Sequence, residues 1–322
     1  MLTRSRIAAL VLAAFPAITA YGAVDSQPAR TAIIERLISK GTADSLATAA
    51  VLKQFRQESD TGAYSLVTRA VELAPDRAEL AWLAVRLCDA DADCDSAGPE
   101  RHLREVDPAN AAGYLGELSR ARLRNDSAGV DAALFSISRA ERLAVYFNPL
   151  VVLTTEQVAF ARQGGKGRPT PRELAEAQVE MIGIMAGFAL PPLQPLSLSC
   201  RGIELKNEGR LEKCRQAAEV FTRGDTFITE GLGLSLQARL WPDDSAEGRA
   251  ITARRLVFQY RLEEYNRLAV ASSNRIDPLV ASLELRRSHE REQDSALDYL
   301  RRRKVPTEPP PGWRSSEPPR VP

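Results

Sequence analysis

At 322 residues the chain has room for one large domain or two ordinary ones. A net charge of +1 builds no global field that would recruit nucleic acid or an anionic membrane. Two histidines, His102 and His289, leave little material for a histidine metal site or a histidine general base.

Arg4 and Arg6 precede an apolar run, Ile7 to Phe15, which small residues follow. This is the layout of a secretory signal peptide over residues 1–23, with cleavage expected after Ala20 or Ala23. The run is shorter than the roughly 20 residues a membrane span needs. No cysteine follows it, so no lipoprotein anchor is expected. No later stretch is apolar for long enough to predict stable membrane insertion after cleavage. The expected location is the bacterial periplasm or outside the cell. Four cysteines suit that compartment. Three pairings are open to them, and closeness in sequence favours Cys88 with Cys94 and Cys200 with Cys214. Zinc binding would want Cys-x-x-Cys spacing or a nearby histidine, and neither is present.

Residues 24–31 read as a loose mature N-terminus. A short helix over Thr31–Ser39 is stopped by Gly41. Leu46, Ala49, Ala50, Leu52 and Phe55 give Ala43–Gln57 a helical face, broken at Ser59–Gly62. Ala63–Ala74 follows, ended by Pro75. Asp76 with Glu79 forms a capping box for Arg77–Leu87, a helix apolar on almost every side and therefore expected to be buried on several faces. Asp107 and Pro108 repeat the helix-start signal 33 residues after Pro75. Tyr114, Leu115, Leu118, Ala121 and Leu123 form the next face, Asn125-Asp126-Ser127 the turn, and Val130, Ala133, Leu134 and Ile137 the returning helix.

The stretch 43–144 resembles tetratricopeptide repeats. Ala63, Val67 and Ala70 match, in spacing and character, the small–large–small packing positions of that repeat's second helix, and Pro75 matches its closing proline. Asn125-Asp126 falls where the family turns between helices. The resemblance implies stacked antiparallel helical hairpins in a right-handed solenoid, with a concave face for a protein or peptide.

Tyr146 to Pro149 is expected to break the helical pattern, with Thr154 and Gln157 opening a short helix to Arg162. Residues 163–169 read as a glycine-rich linker between a repeat region, 24–162, and a second helical region, 170–304. Thr170-Pro171-Arg172-Glu173 is a strong helix start, with Ile182, Met185 and Ala186 facing inward and Gly183 and Gly187 permitting close approach of a neighbour. Leu196–Leu205 and Leu211–Thr222 are expected to form a hairpin stapled by Cys200–Cys214. Phe227–Trp241 and Ala246–Ala271 are two further helices, the second with Phe258, Leu262, Tyr265 and Leu268 on one face. Asp277-Pro278 opens a last helix through Leu300. Residues 305–322 hold seven prolines and read as a disordered or polyproline tail. No strand pattern stands out, so the fold class is all-α.

Asp89, Asp91, Asp93, Asp95 and Glu100 follow the oxygen-ligand spacing of an EF-hand loop, which makes them calcium candidates. Cys94 stands where the sharp turn of such a loop wants glycine, so a solvated acidic loop closed by a small disulfide is the favoured reading. Arg223-Gly224-Asp225 spells an adhesion tripeptide but is expected to be an interhelix turn. Gly231 and Gly233 are expected at helix-packing positions. No nucleophile elbow, catalytic Cys–His pair or cofactor fingerprint is evident, so no catalytic residue and no cofactor is assigned. These observations predict an exported, non-enzymatic scaffold for a protein or peptide. The alternatives are an envelope enzyme with a carboxylate site in the second half, or a calcium-stabilised module built on loop 89–100.

Overall fold

The computed structural model describes residues 27–55, 62–91, 93–188, 191, 193–273 and 275–315. The expected signal peptide, residues 56–61 and the end of the tail lie outside them. Among the described residues the chain forms fifteen α-helices, two short 3-10 turns (Ala111–Tyr114 and Gly202–Lys206) and a single isolated bridge between Asn110 and Arg142. The fold is all-α.

The first five helices are α1 (Gln27–Lys40), α2 (Ala43–Phe55), α3 (Ala63–Leu73), α4 (Ala78–Asp89) and α5 (Ala97–Val106). Each packs on the one before it. Gly41, at φ +67°, stops α1 as its residue type predicts. Every residue from Ser45 to Leu52 of α2 is buried, because α1, α3 and a much later helix cover it. In α4, Leu80 to Val85, Leu87 and Cys88 are buried. That matches an apolar pattern with no polar face.

Helices α6 (Leu115–Leu123) and α7 (Ser127–Arg139) form the next pair, turned by Asn125 in the left-handed region and capped by Asp126, whose carboxylate accepts from Gly129 N. The later helices are α8 (Phe147–Arg162), α9 (Pro171–Phe188), α10 (Gln194–Ser199), α11 (Glu208–Thr222), α12 (Phe227–Leu240), α13 (Ala246–Ser272), α14 (Ile276–Ser288) and α15 (Glu292–Arg302). Neighbours in sequence are not the only neighbours here. Helix α8 lies against α1 and α2 and also pairs with α9, while α14 packs on both α8 and α9. Helix α7 packs on α11, α11 on α12, and α12 on α13. Gly233 allows the α11–α12 crossing: a Cβ there would fall 2.5 Å from the backbone nitrogen of Thr222.

Several local expectations are overturned by longer-range partners. Asp76 does not cap α4. The N-cap is Arg77, and its guanidinium engages Glu79 and Asp44, which removes the expected box. Asp107 closes α5 rather than opening the next helix, and its carboxylate is taken by Arg142 (2.9 and 3.0 Å) and by the Tyr146 hydroxyl. Pro149 falls in the first turn of α8, where proline is tolerated, so the helix begins at Phe147 instead of breaking there, and Thr154 is buried within it. On α9 the capping box forms as read: Thr170 N donates to Glu173 (2.8 Å) and Glu173 N to Thr170 Oγ1 (3.3 Å). Gly183 and Gly187, however, face open space, while Met185 is buried and Ile182 and Ala186 pack partly buried against the core as expected, beside buried Met181 and Ile184. The last charged helix is split at His289–Arg291, where Asn148 of α8 donates to the His289 carbonyl at 3.0 Å. Satisfying that carbonyl from outside removes the need for helical pairing.

Candidate functional site

Both cysteine pairs are bonded, Cys88–Cys94 with Cα atoms 5.3 Å apart and Cys200–Cys214 with Cα atoms 5.6 Å apart. The second bond is not a staple between two long helices. Cys200 caps the six-residue α10, and the 3-10 turn Gly202–Lys206 lies between it and α11.

The calcium candidates are not gathered together. Asp89 pairs with Arg86 at 2.6 Å, Asp91 accepts from Asp93 N, and Asp95 accepts from Ala97 N. Glu100 turns inward, 1% exposed, where both its oxygens are held at 2.6 Å by Arg120. A buried carboxylate without such a partner would be strongly destabilising, so the arginine claims it. Among the described residues no group of three or more His, Cys, Asp or Glu side chains is placed to hold a metal ion. His102 faces Glu105 at 3.8 Å and His289 faces Asp298 at 3.4 Å.

The adhesion-like tripeptide is buried at Asp225, which is 5% exposed. Tyr146, at φ +55°, begins α8 in the left-handed region and has no side-chain cap of its own. That turn points successive backbone N–H groups at one spot, an anion-binding nest at a helix N-terminus. The Asp225 carboxylate fills it, accepting from Val145 N at 3.0 Å through each oxygen and from Phe147 N at 3.4 Å. Burial pushes this carboxyl up to about 6, against the pull of the backbone donors.

The concave feature with binding chemistry lies between α12, α13 and α15. Helix α12 opens with a complete capping box, Thr226 with Thr229. Its first turn is tied to α15: Glu292 accepts from Phe227 N at 3.1 Å, and Gln293 donates to the Thr226 carbonyl at 2.8 Å. An aromatic ladder joins the three helices. Phe227 meets Phe258 at 6.0 Å and Tyr265 at 5.9 Å, and Tyr265 meets Tyr299 edge-on at 6.0 Å. Gly231 sits under the Phe258 ring, a packing position as expected.

Above this ladder is a cleft of about 370 Å³, within the size range of small-ligand sites. Its apolar lining comes from Phe227, Leu234, Val257, Phe258, Leu297 and Leu300. Its polar lining carries both signs: Arg254, Arg261 and Arg291 with Glu230, Asp294 and Glu308. Arg291 lies between Glu230 at 3.9 Å and Asp294 at 3.8 Å. Arg254 donates to Thr222 Oγ1 at 3.1 Å and approaches Glu219 at 3.4 Å. Burial raises the Glu230 carboxyl, opposed by Gln293 and by the three arginines.

The end of the described chain reaches the cleft at Glu308. Helix α15 closes in a Schellman motif, with Val305 N donating to the Leu300 carbonyl at 3.0 Å and Lys304 N to the Arg301 carbonyl at 2.9 Å. Lys304 occupies the left-handed position, φ +57°. The chain then runs along α13. Arg261 Nε donates to the Thr307 carbonyl at 2.8 Å, its Nη2 bonds Glu308, Trp313 meets Tyr260 edge-on at 5.3 Å, and Ser315 donates to Glu263. Residues 305–315 are therefore packed rather than a free tail, because α13 offers them an arginine and an aromatic.

Sequence reasoning placed Phe258 and Tyr265 on one helical face but missed the cleft itself. Its walls come from three helices and a segment that no motif connects. No family model, curated protein or solved structure matches this chain.

Proposed function

We propose that the protein is an exported, non-enzymatic helical scaffold that holds a protein or peptide partner in the cell envelope. Its first half would be a tetratricopeptide-like stack of hairpins and its second half would carry the binding cleft. The observation that carries this reading is the cleft lining, apolar side chains together with charged side chains of both signs. Peptides present that mixture, and recognition needs an apolar anchor with a few oriented polar groups around it. Two disulfides favour an oxidising compartment, in line with the expected signal peptide.

The raised Glu230 carboxyl favours an envelope enzyme. Against it, the residues lining the cleft include no serine, cysteine or histidine, and the carboxylates are set opposite arginines. The test is selection of a displayed peptide library on the full chain, with Val257→Arg as the control that fills the cleft from a partly exposed position on α13. Enriched peptides should lose at least about tenfold in affinity for the folded Val257→Arg protein, the effect of one lost apolar anchor. Equal binding to both proteins, or no enrichment, would overturn the proposal.

A further inference from the structure

We infer that the ligand of this cleft is a proline-rich segment that carries a carboxylate and turns towards an aromatic, and that residues 305–315 are its intramolecular stand-in. The inference rests on the cleft being the binding site. It is carried by a segment of the chain that already reaches the cleft wall through Glu308. Residues 305–315 contain Pro306 and the run Pro309-Pro310-Pro311, whose restricted φ lowers the ordering cost on docking, followed by a turn in which Trp313 N donates to the Pro310 carbonyl at 3.0 Å. Besides the Ser315–Glu263 hydrogen bond, three contacts hold the segment, and each is of a kind a separate peptide would reproduce. Arg261 takes the Thr307 carbonyl, a backbone contact indifferent to side chain. The same guanidinium takes the Glu308 carboxylate at the cleft wall. Trp313 meets Tyr260 edge-on at 5.3 Å, and with the segment in place Tyr260 is 5% exposed.

The hold is also weak enough to exchange. The Glu308 side chain is 65% exposed, and an ion pair in that setting is screened and of small worth. What keeps the segment in place is attachment: a short tether gives an effective concentration in the mM range. Lys304 turns the chain back towards α13, so the tether is aimed. A partner carrying a carboxylate, adjacent prolines and an aromatic five residues beyond the carboxylate would meet the same arginine and the same tyrosine. It would bind only by displacing residues 305–315.

The experiment uses a fluorescent synthetic peptide copying residues 305–315, titrated by anisotropy against the full-length protein and the full-length double variant Glu308→Gln/Trp313→Ala, which loosens the built-in segment. The variant should bind the peptide at least about tenfold more tightly than the parent, as removal of an effective-concentration competitor requires. Adding Arg261→Ala should take that gain away. If the double variant loses its helical circular dichroism, Glu308→Lys carries the same comparison, since it sets like charges together at an exposed position. A folded release variant that binds the peptide no better than the parent would overturn the inference. The two readings separate cleanly: library peptides lost on Val257→Arg while the 305–315 copy binds neither protein would leave the cleft standing and remove the stand-in. No binding of either peptide would remove both.

Discussion

Asp225 allows a sharp test of how this fold is held together. Its carboxyl is pushed up to about 6 in the folded protein, against an ordinary value of 3.8. The folded state therefore binds this proton more readily than the unfolded chain does. The sign follows: the contribution to stability is fully present below about pH 4 and is lost as pH rises through 6. A difference of about two pKa units corresponds to about 3 kcal/mol. Asp225→Asn keeps one acceptor oxygen for the α8 nest and does not titrate. Denaturant unfolding of both proteins, disulfides intact, at intervals from pH 3.5 to 7.5 gives the difference in stability directly. The parent should lose about 2.4 kcal/mol relative to Asp225→Asn between pH 4 and 7. Other titrating groups cancel in the difference. A flat difference across that window would refute the reasoning, because it would mean that the nest compensates the buried charge in full.

Arg120→Met leaves Glu100 buried with Arg104, at 3.9 Å, as the remaining cation near it among the described residues. The expected cost is about 3 kcal/mol in urea unfolding, recovered in large part by adding Glu100→Leu; a loss under about 1 kcal/mol would contradict the pairing argument. Replacing Cys200 and Cys214 by alanine should cost about 3 kcal/mol, the chain-entropy value for a loop of roughly 15 residues, read as a lower denaturant midpoint. Lys304→Gly relieves the left-handed strain at the end of α15 and should raise stability by about 0.5–1 kcal/mol, once glycine's own entropy is set against the relief; an unchanged melting temperature would argue against strain there.

The features legible in the sequence are the ones decided locally. The Thr170–Glu173 box works because both partners lie within one turn and nothing distant competes for them. The burial of α4 follows from a pattern with no polar face to offer water. The disulfides follow from closeness along the chain. The features that were not legible are those in which a distant group replaces a local one. Asp76 and Glu79 have the right spacing for a cap, but Arg77 is held between Glu79 and Asp44 of α2. The break between α14 and α15 depends on Asn148, 141 residues from the carbonyl it satisfies. Helix α11 is fixed to α7 by Arg210, which reaches Asp131 at 2.9 Å. The cleft belongs to the same class. Only the alignment of Phe258 with Tyr265 was visible, because the arginines and carboxylates around it have no spacing in common.

Gly224, Asp225 and Thr226 show why the tripeptide could not be understood by itself. Thr226 caps α12 by its own side chain. The Asp225 carboxylate caps α8, and its carbonyl accepts Glu292 N, at the first residue of α15, at 2.8 Å. The Gly224 carbonyl accepts from Gln293 at 3.1 Å and from Arg291 at 3.3 Å. A Cβ on Gly224 would fall 2.2 Å from Thr229 Oγ1, so the turn has room only for glycine beside the capping box. One three-residue turn thus supplies partners to the N-termini of three helices. Two of those, α12 and α15, are walls of the cleft, and the third, α8, is lodged against α1 and α2 at the start of the fold. The cleft is therefore braced through Asp225 to the first helical layers, and a change in that turn would be felt at both the cleft and the core.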